Sequence, residues 1–300
     1  MHWRSHFTDH HATICINLPF MVHSFAHLSA VSKVAAFFVV WVGVWLPIAG
    51  LILFKQKWKL ELPLPMFQKL PLVMSLYAIA PFIFWAAIHL ENQPFSAYGL
   101  NQPAAQLGWL GLGLGIALIG LAVLFGIQKM LGWIGWQPMQ ASELGKTMGL
   151  CLLLGLWVGV VEESIFRGFV FSQFLSAYPF WGAAIATSLL FALSHLIWEG
   201  KSGLPQLPGL WLMGMVLVFA RWAMGGDLGL AIGLHAGWVW GLATIDTAQL
   251  IQYRDRAPQW LTGIAHNPIT GLMGLLLLAV TGGAIGLVGY QLQFGGFSLR

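Results

Sequence analysis

Eight long apolar runs, separated by polar loops, leave this chain few folds to choose from. They lie near Ala30–Phe54, Leu70–His89, Leu107–Gly126, Thr147–Phe171, Phe180–Trp198, Leu207–Ala223, Leu228–Ile245 and Ile269–Leu292. A helix that crosses hydrocarbon needs about 20 predominantly apolar residues. Every backbone group in lipid must bond within the protein, so such runs form helices rather than open strands. The predicted fold is all-α: a polytopic membrane helical bundle of about eight transmembrane helices, a single integral membrane domain over residues 1–300. Composition supports this. Only 8% of residues are charged and 58% are hydrophobic, whereas a soluble domain carries about 25% charged residues. The 16 Trp and 20 Phe suit membrane interfaces, and the 36 Gly suit close helix approach.

The loops predict an orientation. With the N-terminus outside, the cytoplasmic loops hold Lys55, Lys57, Lys59, Lys69, Lys129, Lys146, Lys201, Arg254 and Arg256. The opposite side holds Arg4, Lys33, Arg221 and Arg300, which agrees with the positive-inside rule. The segment Thr13–Leu28 is interrupted by His and Pro and reads as interfacial. No N-terminal signal peptide is expected. His2, His6, His10 and His11 read as a solvated tail. Cys15 and Cys151 make no disulfide framework. The net charge of +4 comes from few, scattered basic residues, so no nucleic-acid partner is expected. The segment Glu91–Gln106, with Pro94, Gly99 and Pro103, reads as an interfacial elbow. Gly111, Gly113 and Gly115 read as a smooth packing face. No internal repeat supports an inverted-repeat transporter.

The chemistry concentrates in the fourth run, which carries Glu162-Glu163-Ser164-Ile165-Phe166-Arg167 at membrane depth. A central ionisable residue costs about 2.5–3.5 kcal/mol on insertion scales, so these groups need partners. Glu163 and Arg167 are four apart and share a helix face. Glu162 points about 100° away and is left for another task. The fifth run ends in Phe191-Ala192-Leu193-Ser194-His195. The tip between the fourth and fifth helices falls near Ser176–Pro179, so Glu162 and His195 differ in depth by only about 6 Å. The sequence therefore allows a buried Glu162–His195 pair. His235 lies inside the seventh run and must also find a partner. A buried Glu beside a His can deprotonate a water, and a second His can stabilise an oxyanion. Ser164 and Ser194 lie near in sequence, but neither sits in a nucleophile elbow.

Glu162-Glu163-x-x-x-Arg167, Phe191-x-x-x-His195 and the later His235 resemble the three motifs of the CPBP intramembrane endopeptidases. That family includes the type II CAAX prenyl endopeptidases and Abi proteins linked to bacteriocin processing or immunity. The resemblance covers roughly residues 147–246, a motif-bearing catalytic core within the bundle. It implies that Glu162 and His195 activate the attacking water, that Glu163 and Arg167 hold the site in shape, and that His235 stabilises the oxyanion. Where the family usually has Asn four residues after the third-motif His, this chain has Val239.

The expected function is an intramembrane endopeptidase that hydrolyses a peptide bond of a membrane-associated protein or peptide. The lipid bilayer is its other partner. A bacterial inner (plasma) membrane or thylakoid-like membrane is the expected location. No cofactor is favoured, and a glutamate-type mechanism is preferred, although two Glu and two His could hold a divalent metal such as zinc. Glu199, four residues after His195, could add a ligand but reads more simply as a helix-end residue. A non-catalytic membrane scaffold or assembly factor is the alternative, with Val239 in its favour, and a proton-coupled transporter is a third reading.

Overall fold

The computed structural model describes residues 25, 27–55, 66–101, 103–254 and 256–294. His2, His6, His10, His11, Cys15, Arg4, Lys57, Lys59 and Arg300 lie outside them, as does most of Thr13–Leu28. Eight long helices fall where the apolar runs predict them. They are α1 (Ala30–Lys55), α2 (Met66–Glu91), α3 (Pro103–Met130), α4 (Ala141–Ala177), α5 (Phe180–Ser194), α6 (Leu207–Ala223), α7 (Gly229–Thr247) and α8 (Leu272–Phe294). Many outward side chains are large and apolar, among them Val39, Phe54, Leu150, Leu153 and Leu287. Such a surface is stable only in a hydrocarbon solvent. The protein is a multi-pass integral membrane protein.

By length and apolarity, six helical stretches among the described residues can cross a membrane. One of them, Phe180–Ala223, contains both α5 and α6. Helix α7 is not among the six, and His235 and Asp246 lower its apolarity. Its first half explains why it need not be apolar throughout. From Gly229 to Trp238 every residue is buried, so this stretch is enclosed by protein rather than lipid.

Glycines bring α7 close to its neighbours. A Cβ on Gly233 would collide with the Leu110 carbonyl, and one on Gly113 with the backbone of α7 around Leu230–Leu234. Gly155 and Gly159 do the same for α4 against Ala236 and Ile232. Small residues here let three backbones meet at one level. Of the three glycines expected to form a packing face on α3, only Gly113 packs; Gly111 and Gly115 face open space.

The expected elbow is a short 3₁₀ turn, Phe95–Tyr98, closed by Gly99 at φ 85°. A left-handed conformation favours glycine there. At the same end, Glu91 of α2 gathers Lys33 of α1 (2.8 Å), the Tyr98 hydroxyl and Gln173 Nε2 of α4 (2.7 Å). At the other end Lys69 pairs with Glu199, which fits the helix-end reading of Glu199.

One feature departs from an all-helical chain. Ile134–Trp136 (β1) and Ile251–Tyr253 (β2) form a two-stranded antiparallel clip, with Ile134 opposite Tyr253. It ties the α3–α4 loop to the α7–α8 loop. Three-residue strands are too short to show an alternating pattern in sequence.

Candidate active site

Helix α4 is not regular. After Glu162 it widens into a π-helical segment, Glu163–Val170, and then resumes as an α-helix from Phe171. All eight residues of that segment are buried. π-helical turns are rare and collect at functional sites. The widened turn loosens the regular carbonyl ladder, and a residue outside the helix helps to satisfy it. Arg221 of α6 donates through Nη1 to the Arg167 carbonyl and lies 3.4 Å from the Gly168 carbonyl. Its Nη2 reaches the Ala97 carbonyl at 3.3 Å and its Nε the Gly226 carbonyl at 3.1 Å.

Loop counting puts Arg221 on the outer side, with Lys33. It is buried in the last turn of α6, where its fork reaches backbone carbonyls from three segments. Arg221→Met should therefore destabilise the protein by about 2–3 kcal/mol, as loss of hydrogen bonds from a charged donor does. Thermal unfolding in detergent measures this. Arg221→Lys should recover only part of the loss, since an ammonium lacks the planar fork.

Glu163 and Arg167 form the expected pair, with Arg167 Nη1 2.8 Å from Glu163 Oε1 and both side chains fully buried. The Arg167 guanidinium also lies 4.2 Å from the centre of the Phe191 ring, a cation–π contact. The same Glu163 oxygen receives His235 Nδ1 at 2.7 Å. A carboxylate only accepts, so Nδ1 carries the proton, and in the neutral ring Nε2 is then the free acceptor. Nε2 faces Glu162 Oε2 at 3.7 Å. That gap is too long for a direct hydrogen bond and suits one shared through a small group.

The other oxygen of Glu162 accepts from the Tyr77 hydroxyl of α2. Glu162 Oε2 has no hydrogen-bond partner, although it is buried. Glu162 is thus anchored by one oxygen and presents the other towards His235.

The structure changes the expected pairing. The histidine facing Glu162 is His235, whose ring is held by Glu163. The hydrogen bond of His195 runs from Nδ1 to the Phe191 carbonyl at 2.8 Å. Phe191 packs against both histidines, with ring centres 4.8 Å from His195 and 5.9 Å from His235. Depth allows Glu162 and His195 to meet; the ring that lies 3.7 Å from Glu162 is that of His235. Ser194 donates to the Phe191 carbonyl within its own helix (2.7 Å).

Sequence reasoning missed Tyr77. The available signal was a phenol inside an apolar span, since a buried tyrosine hydroxyl needs a partner. Tyr77→Phe removes a bond to a charged oxygen and should lower turnover about tenfold, with little change in KM. Steady-state kinetics checks this.

An apolar cavity of about 300 Å³ lies between α2 and α4, with neither Glu162 nor Glu163 in its lining. Ala80, Phe84, Trp157, Val161, Ser164 and Ile165 are among its walls. Trp85 and Val160 at its edge are exposed on the lipid-facing surface. As for a metal, no group of three His, Cys, Asp or Glu side chains able to hold an ion occurs among the described residues. Glu163 is occupied by Arg167 and His235, and Glu199 by Lys69.

Residues 144–241, about a third of the chain, match the family model described as Type II CAAX prenyl endopeptidase Rce1-like. The matched segment contains Glu162, Glu163, Arg167, His195 and His235. The motifs read from the sequence and the family match point to the same protease family. No match was found among the curated proteins or the solved structures.

Proposed function

With a protease-family segment spanning 144–241 as the premise, we propose that this protein is a glutamate-type intramembrane endopeptidase acting on membrane-associated proteins or peptides. The observation that carries this reading is the facing pair, Glu162 Oε2 and His235 Nε2, 3.7 Å apart and buried. A water between them donates one hydrogen bond to each and keeps a lone pair for a scissile carbonyl. As its oxygen attacks the carbonyl carbon, one proton passes to Glu162. The C–N bond of the tetrahedral intermediate then breaks, and Glu162 returns the proton to the leaving amine.

Glu163 holds the His235 ring with Nδ1 protonated, so that Nε2 accepts from the water, as a carboxylate fixes the tautomer of a catalytic histidine. Arg167 supplies the countercharge that a carboxylate in a dry site needs. His195, whose ring packs against Phe191 as that of His235 does, donates to the oxyanion through Nε2 when protonated. The apolar cavity between α2 and α4, lined by the neighbours Val161 and Ser164 of the two carboxylates, receives an apolar part of the substrate from lipid. Loop charge supports a cytoplasmic position for the Glu199 end, in a bacterial inner or thylakoid-like membrane.

Val239 favours a second reading. It stands one turn beyond His235 and offers no hydrogen bond, as a scaffold without hydrolytic function would tolerate. Cleavage of a quenched fluorescent peptide library separates the two. The purified protein is compared with Glu162→Ala, with and without a chelator. Cleavage that requires Glu162 and survives the chelator supports the glutamate reading. Loss to the chelator and recovery with zinc moves the mechanism to a metal. Equal rates in both proteins sink it.

A further inference from the structure

A cavity of about 530 Å³ lies away from the carboxylates, at the C-terminal end of α7. A space of this size holds a short peptide stretch or a drug-sized molecule. Leu242 and Asp246 of α7, with Gln249 just beyond its end, form one wall, and Tyr253 and His266 form another. The two aromatic rings stack, with centres 3.9 Å apart.

Three observations indicate a built site. The first is charge. Asp246 is exposed, and its carboxylate makes no ion pair among the described residues. Burial pushes the Tyr253 phenol up, and the neighbouring Asp246 adds to the shift, so the carboxylate's charge is felt within the cavity. The nearby arginines are directed elsewhere. Arg254 lies against Gly135, and Arg256 lines an adjoining cavity.

The second observation is backbone strain. Four non-glycine residues among those described have positive φ, and three of them line this cavity: Gln249 (47°), Ala265 (50°) and His266 (64°). Left-handed backbone in residues with a Cβ is costly and collects at ligand clamps. The third is alignment. Asp246 lies eleven residues after His235 on the same helix, about three turns on and within about 20° of the same face. That separation is about 16 Å.

We propose that this cavity is an exosite for the basic flank of the substrate, with Asp246 receiving a Lys or Arg side chain on the cytoplasmic side of the scissile bond. The inference rests on the endopeptidase reading. Charge supports the choice of partner, because membrane segments carry Lys and Arg at their cytoplasmic ends. Gln137, Gln249 and Gln252 supply amides that can pair with an extended peptide. An extended chain rises about 3.3 Å per residue, so the basic residue belongs about five positions from the cleaved bond.

The test uses the full chain carrying Glu162→Gln in detergent, so that binding is read without cleavage. The probes are fluorescein-labelled apolar peptides ending in Lys-Arg-Lys, in Gln-Gln-Gln or in Glu-Glu-Glu, followed by anisotropy. The basic flank should bind about three- to fivefold more tightly than the Gln flank, the range of an exposed ion pair. Adding Asp246→Asn should erase that preference, and Asp246→Lys should turn it towards the Glu flank. Salt should weaken the preference.

A basic preference that survives both Asp246 changes overturns the proposal, as does no preference in the Glu162→Gln parent. Cleavage by the protein with Glu162 intact is scored separately. A preference that depends on Asp246 without any cleavage leaves the exosite standing and sinks the hydrolytic reading. Cleavage without that preference does the reverse.

Discussion

Glu162→Gln should lower turnover by at least about a thousandfold while leaving the folded protein intact. Gln keeps the shape of Glu and can still accept the Tyr77 hydrogen bond, so packing around α2 and α4 is retained. It cannot accept a proton from water. General acid–base groups contribute about a hundred- to ten-thousandfold, and Glu162 is asked to act both as base for attack and as acid for amine departure. The loss should fall on kcat and on kcat/KM alike, since the missing step belongs to the transition state. Melting temperature in detergent should shift little. Cleavage at an unchanged rate would remove Glu162 from the mechanism. A protein that no longer folds would show Glu162 to be structural, which its unpartnered second oxygen argues against.

Arg167→Met should be the most destabilising single change in the site, at about 3–5 kcal/mol. It leaves Glu163 as a fully buried carboxylate facing only His235. Removing one member of a buried ion pair strands the other charge, whereas replacing both is often nearly neutral. The double variant Glu163→Gln/Arg167→Met should therefore regain most of the stability lost in Arg167→Met. It should not regain activity, because the neutral amide that replaces the Glu163 carboxylate no longer fixes the His235 ring with Nδ1 protonated. Thermal unfolding gives one readout and peptide cleavage the other. If the single and double variants unfold alike, the pair contributes packing rather than charge compensation, and the role of Glu163 behind His235 has to be reconsidered.

These two predictions differ in how far the sequence alone could carry them. Glu163 and Arg167 are four apart in one apolar run, and no geometry beyond a helix is needed to pair them. The same holds for the membrane bundle. Lipid leaves an apolar chain only the helix as a spanning element, so the eight helical positions follow from runs of apolar residues. The hairpin of α4 and α5, with its tip before Phe180, follows from the break at Tyr178-Pro179. The presence of Glu162, His195 and His235 at membrane depth also required only counting along helices.

Which histidine faces which carboxylate depends on rotation and contact, and these lie beyond a one-dimensional pattern. Two helices can bring residues to the same depth and still point them apart. Here Phe191 packs against both His195 and His235, and the glycines at 155, 159 and 233 set how closely α7 meets α4 and α3. Tyr77 and Arg221 could be marked in advance only as polar groups in need of partners. Their partners, Glu162 and the carbonyls of the π-helical turn, come from other helices. The turn itself had no local signature, because what stabilises it is a guanidinium some fifty residues away in the chain. The solvent, the class of elements and the inventory of ionisable groups are legible from residues taken in order, because hydrocarbon imposes them position by position. How those groups face one another is a property of the folded bundle alone, because it depends on helix rotation and close packing between distant segments.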